Sequence, residues 1–351
     1  MSFNWSSVQG TVNVVLQSLP VHRSPFTLAV HVASGTTVTD PYKLYTNVDD
    51  IDADTELTTA SKAALTAMIA PASQYKPASV ALIPITVTNT TAALALQAAI
   101  NAGLDFGYVT CDTRTPSAQV AISNWCEARQ YIYLAQSSDA SWLNSGVPTD
   151  YSTIVDNKQT GMVYHPTDAQ WADAEWAGFV SAKDPDVART NFRGPIGNAT
   201  TYTLTSAQAA FAIANKINII GPDVRGDTTH YIGNDAGAAC SLEGELLYGA
   251  LTKLWTTIKI EDSNATILQQ YDDLSEGVPF NDAGAQVFLA PLTALGELGL
   301  RAGHYTKSAA LPKGYAFTYT LDATRTVNIT ARYGFLDTIA VVNVTAYLSR
   351  S

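Results

Sequence analysis

Residues 8–16, Val-Gln-Gly-Thr-Val-Asn-Val-Val-Leu, alternate so that Val12, Val14 and Leu16 share one face, which predicts a strand early in the chain. A second apolar run, Phe26 to Val32, follows Pro20 and Pro25. Lys62 to Ala70 reads as a helix stopped by Pro71, and Val80 to Val87 as a buried strand in which Pro84 argues for an edge or a bulge. Thr91 to Ala102 is helical and closed by Gly103. Phe106 to Thr110 is a strand, Thr115-Pro116 opens a helix to about Arg129, and Tyr131 to Ala135 is the next strand. Strand, helix, strand, helix, strand over 80–135 is the order of an α/β layer with parallel strands.

The pattern then loosens. Gly161 to Tyr164 is a short strand, Thr167 is expected to cap a helix over Ala169–Ser181, and Thr205-Ser-Ala-Gln208 has the spacing of a capping box. Ile217 to Ile220 is apolar. Leu242 to about Leu274 reads as one long helix, and a second, capped by Asn281 or Asp282, runs to Leu300 and ends at Gly303; together they predict an antiparallel hairpin. The remainder is β: Tyr315–Leu321, Arg325–Arg332 and Thr338–Leu348, the last apolar on both faces.

Composition narrows the function classes. The chain has 351 residues, 46% of them apolar and 15% charged, so it has the material for a core and for more than one domain. Its net charge of −11 makes nucleic acid an unsuitable partner, because neutralising phosphates takes clustered Lys and Arg. So little charge over so much apolar content points to surface covered by assembly. Three scattered cysteines, Cys111, Cys126 and Cys240, suit reduced core thiols. The first residues show neither a basic segment nor an apolar one, and no run of 18 apolar residues occurs, so the expectation is cytoplasmic synthesis without membrane insertion.

Candidate chemistry is thin. Asp50, Asp52 and Asp54 have calcium-loop spacing, but Thr55 and Ser61 stand where Gly and Glu are needed, so a solvated acidic turn is the better reading. His22, His31, His165, His230 and His304 form no zinc pattern, and no phosphate-loop, dinucleotide or nucleophile-elbow motif occurs. Gly233-Asn-Asp-Ala-Gly237 suits a tight turn as well as an anion nest, and nothing joins Tyr164-His165 to Glu261-Asp262. The expectation is no catalytic residue, no metal and no cofactor.

Several segments then show a resemblance. Ala121-Ile-Ser-Asn-Trp125-Cys-Glu-Ala-Arg129, Met162-Val-Tyr164-His165-Pro166, Trp176-Ala-Gly-Phe179, Thr190-Asn-Phe192-Arg-Gly194, Asn215-Lys-Ile-Asn218 and Val278-Pro279-Phe280-Asn281-Asp282, in this order, resemble contractile tail sheath proteins of myophages of the small-sheath type. The resemblance spans roughly 105–351. It implies an α/β (α+β overall) chain with an outer α/β domain and a sheath-type carboxy-terminal domain, built on a long helix hairpin and a sheet completed by terminal strands. The implied parts are a linking arm at 1–24, an α/β domain at 25–200, a core domain at 201–336 and a linking strand at 337–351. It further implies hexameric rings stacked helically round a tail tube, contraction without nucleotide during genome ejection, and a place in the virion tail after assembly in the host cytoplasm. The implied partners are other copies of the chain, the tube protein, and baseplate and terminator proteins. Apolar strand residues are the candidates for linkage between copies, the alternative being that both strands complete their own domain's sheet: Val12, Val14, Val15 and Leu16 in the first arm, and Ile339, Val341, Val342, Val344 and Tyr347 in the last. Asp272, Asp273 and Glu276, with Glu261 and Asp262 before them, are candidates for an acidic edge against a basic tube. The rivals are an α/β hydrolase or ligand-binding protein, and another virion structural protein.

Overall fold

The computed structural model describes residues 9–13, 25–190, 192–222, 230–234, 239–273, 281–321, 326–335 and 338–347. The chain begins with β1 (Gln9–Asn13), β2 (Ala29–Ala33), β3 (Lys43–Tyr45), α1 (Val48–Ala53), α2 (Thr59–Ile69) and β4 (Val80–Pro84). It continues through α3 (Ala92–Asn101), β5 (Tyr108–Cys111), α4 (Pro116–Arg129), β6 (Ile132–Ser137), β7 (Thr160–Tyr164) and α5 (Ala172–Ser181). Then come β8 (Pro195–Ile196), α6 (Ser206–Ala214), β9 (Ile219–Pro222), β10 (His230–Gly233), α7 (Leu247–Asp273) and α8 (Asp282–Ala302). The chain closes with β11 (Tyr315–Leu321), β12 (Thr326–Phe335) and β13 (Thr338–Tyr347).

By contact the chain divides into two units, one of 24–184 and 190–251, the other of 1–23, 185–189 and 252–351. The division differs from the expected boundary at 200. Residues 201–251 join the α/β unit because Asn218 stitches them to β7: its Nδ2 donates to the carbonyls of Met162 and Cys240, and its Oδ1 accepts from Cys240 N. Leaving those buried backbone groups unpaired is costly, so the segment is fixed where they meet.

The α/β unit is built on a six-stranded sheet in the order β3-β4-β2-β5-β6-β7, parallel except for β3. One face carries a core of Val30, Val32, Ala81 and Ile83 under Leu96 of α3, Ile122 and Trp125 of α4, and Ala212 of α6. α5 and α2 cover the other face. Gly178 in α5 is where they meet: a Cβ there would overlap the Met68 carbonyl oxygen and stand 2.7 Å from its carbon. β4 is an interior strand, not an edge, because Pro84 falls past the end of β3, which pairs only Val80 to Leu82. α5 starts at Ala172, later than a Thr167 cap would start it, because the Gln136 side chain takes over the cap, accepting from Ala172 N and donating to Thr167 O. Likewise α7 begins at Leu247, since 240–246 closes a turn through Gly244 at φ 98°.

The second unit sets α8 on a four-stranded sheet, β1-β13-β12-β11. Asn281 caps α8 by accepting from Gly284 N, and Gly303 ends it at φ 82°, as the sequence predicts. Gly296 and Gly299 leave room for the rings of Tyr315 and Tyr305 against the helix. α8 is long and apolar enough to cross a membrane by length and composition, yet Phe288, Leu292 and Leu295 are buried, as in the core helix of a packed domain. Residues 185–189 dock here too. Asp186 accepts from Trp255 Nε1 and Lys259 Nζ, both at 2.7 Å, and His304 Nε2 donates to Pro185 O.

Candidate functional site

Two places are able to carry function: the crevice of the parallel sheet, where α/β proteins bind ligands, and the sheet holding the first and last strands.

The parallel strand order reverses between β2 and β5, so a ligand would be expected beyond Ala33 and Cys111. The loops at that crevice bond to one another across it. Asp112 Oδ2 accepts from Ser34 N at 2.7 Å and from Ser34 Oγ at 3.0 Å, while its Oδ1 accepts from Thr113 Oγ1. Arg114 donates to the carbonyls of Asp168 and Gln170, pairs with buried Asp173 at 2.8 Å and lies 4.6 Å over the Trp171 ring. Burial pushes the Asp173 carboxyl up, and Arg114 pulls it back. Alongside, an open groove of about 540 Å³ runs between α2, the 169–171 turn and Asn198. Three of its polar side chains are already engaged: Lys62 with Asp52 O, Gln170 with Thr200 N, Asn198 with Ala70 O.

His31 lies beneath this region, wholly buried. The Thr110 hydroxyl donates to Val30 O and so accepts from His31 Nδ1–H, leaving Nε2 without a hydrogen-bond partner; the imidazole packs T-shaped with the Trp171 ring, centroids 5.6 Å apart. Burial drives its pKa down to about 4, Asp112 opposing and Arg114 assisting. The folded state therefore binds fewer protons than the unfolded one between about pH 4 and pH 6.5, and stability falls on acidification through that window. Between pH 7 and 5 the native chain is expected to lose about 2 kcal/mol more than His31→Gln does, as read from urea midpoints.

The remaining candidates serve structure. Asp54 is bound by Lys43 and the Tyr45 hydroxyl, and Asp50 accepts from Asn47 Nδ2. Among the described residues no group of three or more His, Cys, Asp or Glu is placed to hold a metal ion. His165 accepts from Thr167 N and donates from Nε2 to Thr200 O. The three thiols are buried, those of Cys111 and Cys240 pushed up to about 12, too high for a nucleophile at neutral pH. Glu175, which sequence reasoning passed over, is buried and accepts from the backbone N–H groups of Ala72, Gly197, Asn198 and Ala199. One carboxylate thus organises two loops.

In the second sheet β1 lies parallel to β13, Gln9 opposite Val341 through Asn13 opposite Thr345, and β13 lies antiparallel to β12 along all ten of its residues. Val12 is opposite Val344, which is opposite Ile329. Ile339, Val341, Val342 and Tyr347 are opposite Gly334, Arg332, Ala331 and Thr326. β1 and β13 are therefore neighbouring strands. Val14, Val15, Leu16 and Glu276 lie outside the described residues, and Asp272 and Asp273 end α7. Beneath the sheet Tyr305 stacks on Tyr333 at 4.7 Å, and Trp255 sits 4.6 Å from His304, tying it to α7.

No family model matches the sequence, and no curated protein matches it. Among solved structures the chain is similar to the crystal structure of a sheath tail protein from Listeria innocua, with a TM-score of 0.58 and 10% identity over 93% of this chain and 96% of that one. The fold is sheath-like. The likeness covers nearly all of both chains. At this identity it speaks for architecture, and what the chain does has to be argued from its own residues.

Proposed function

We propose that this chain is the structural subunit of a contractile phage tail sheath. Copies stack as hexameric rings round a tail tube and contract to drive it through the host envelope. The observation that carries the reading is the sheet in which β1 and β13 are adjacent, each paired to its neighbour through a main-chain ladder. The same β12–β13 and β13–β1 registers, formed with strands from neighbouring copies, keep every ladder bond. A five-residue strand contributes roughly five backbone bonds at about 0.5–1.5 kcal/mol each, so each arm links copies by several kcal/mol.

In this reading the lattice stays joined through the arms while each α/β unit moves as a body. No nucleotide or cofactor is consumed. The tube is a basic partner for the edge formed by Asp272, Asp273 and Glu276, baseplate and terminator proteins meet the ends of the stack, and assembly in the host cytoplasm precedes incorporation into the virion tail.

The test is a full-length Val12→Cys/Val344→Cys variant, whose cysteines stand at paired positions. Exchange between copies predicts striated hollow rods in negative stain and a ladder of covalent multimers on a non-reducing gel. A disulfide confined to single chains, with no rods, sinks the reading.

A further inference from the structure

The groove along α2 is walled by residues that buried charges hold in place. Arg114 fixes the 168–171 turn through the carbonyls of Asp168 and Gln170 and lies over the Trp171 ring, and His31 packs T-shaped with the same ring. Glu175 fixes the other wall by accepting from the N–H groups of Gly197, Asn198 and Ala199. Burying Arg114, Asp173 and Glu175 is costly, and apolar residues of similar volume often hold a fold as well. What these charges secure is the position of Trp171 and Asn198, both of which line the groove. Its volume of about 540 Å³ is that of a small-ligand site.

The lining mixes apolar surface with unspent hydrogen-bonding capacity. Ala63, Ala67 and Ala169 contribute methyl groups, and Trp171 its indole. Among the described residues the Asp52 carboxylate, the Thr59 and Thr66 hydroxyls and the Trp171 N–H have no hydrogen-bond partner. Gln170 and Asn198 each use half of an amide, which leaves an NH2 on the first and a carbonyl on the second. The only charged residues in the lining, Asp52 and Lys62, cancel. An anionic ligand would meet one ammonium, already bonded to Asp52 O, with a carboxylate beside it. A purely apolar ligand would bury donors and acceptors unpaired. A neutral ligand that carries both C–H surface and many hydroxyls suits every group present, and that is the chemistry of a saccharide. Thr59 and Thr66 stand seven residues apart on α2, about 10 Å along its axis, which is longer than one sugar ring.

We propose that the groove between α2 and Trp171 binds a segment of a neutral glycan chain. Sugar hydroxyls donate to Asp52 and accept from the Trp171 N–H and the Gln170 amide, and the ring's C–H groups pack on the alanine methyls. The groove is open, so it does not enclose the ends of its ligand, and sugars within a longer chain lie in it as a disaccharide does. Every residue concerned belongs to the α/β unit, so the proposal stands apart from the strand exchange that carries the sheath reading.

The full-length protein is titrated by isothermal calorimetry with maltohexaose, cellohexaose and chitohexaose, and with the matching disaccharides. At least one hexamer is expected to bind saturably, no more weakly than its disaccharide and equally at low and high salt. Binding by none of them overturns the proposal, and so does tenfold tighter binding of the disaccharide or a preference for a heparin hexasaccharide, which is polyanionic. Thr66→Val keeps the side-chain shape and removes one hydroxyl, so it is expected to weaken binding roughly threefold to tenfold. Trp171→Ala, with its thermal midpoint measured to show that the unit still folds, is expected to weaken it at least tenfold. Phe211→Ser, at an exposed position on α6 across the sheet, leaves it unchanged. Full binding by both groove variants places the sugar elsewhere and overturns the assignment. Rods without sugar binding remove this site and leave the strand exchange intact, and the converse result does the opposite.

Discussion

Gly178→Ala is expected to destabilise the α/β unit by about 3 kcal/mol or more, lowering its thermal midpoint by about 10 °C. The new methyl group would overlap the Met68 carbonyl oxygen and stand 2.9 Å from its Cα. Those atoms are backbone at the end of α2, so no rotamer change relieves the clash and the two helices must separate. Separation in turn opens the core on that face of the sheet, where α5 is buried along its whole length. Gly221→Ala is the control, because nothing lies within 4 Å of a Cβ at that position. Differential scanning calorimetry of the two variants decides the point: equal midpoints would show that α2 and α5 do not approach as closely as described.

The second large effect is expected at Arg114. Arg114→Met leaves the Asp173 carboxylate buried without its cation, a loss of about 3–5 kcal/mol. The side chain also bridges the Asp168 and Gln170 carbonyls, so the turn before α5 loosens with it. Burial already raises the Asp173 pKa, and loss of Arg114 raises it further. The folded state then holds a proton that the unfolded state releases, so the deficit grows as pH rises: it is larger at pH 8 than at pH 5. Arg114→Met/Asp173→Leu is expected to regain more than half of the loss, since no buried charge remains unpaired. Guanidinium titrations of the three proteins at both pH values test this, and a pH-independent deficit in the single variant would count against it.

The parts of the fold that were legible in the sequence were those encoded locally. Alternation and capping chemistry placed β5 to β7, the Thr205–Gln208 capping box, the Asn281 cap and Gly303 end of α8, and the three closing strands, each within a few residues. Where a distant side chain intervenes, local signals misled. Gln136 displaced the start of α5, and Asn218 drew 201–251 into the first unit. The residues that hold the α/β unit together, His31, Arg114, Asp173, Glu175 and Gly178, have no local pattern at all. Each acts across tens of residues of chain, as Glu175 does on Ala72, and their roles exist only once the sheet is formed. Val12 and Val344 were legible as strand residues; that they fall opposite each other was not, because pairing partners so far apart leave no trace in periodicity.

That last pairing also has a consequence for biosynthesis. β13, the strand that β1 joins, is made more than 300 residues after it, once the whole α/β unit has been translated. Pairing of such high contact order is slow, whereas the α/β unit contains nearly contiguous chain and folds while translation continues. For the duration of synthesis β1 is a strand without its mate. On a polysome, where nascent copies emerge side by side, the first β13 that it meets can belong to a chain further advanced than its own.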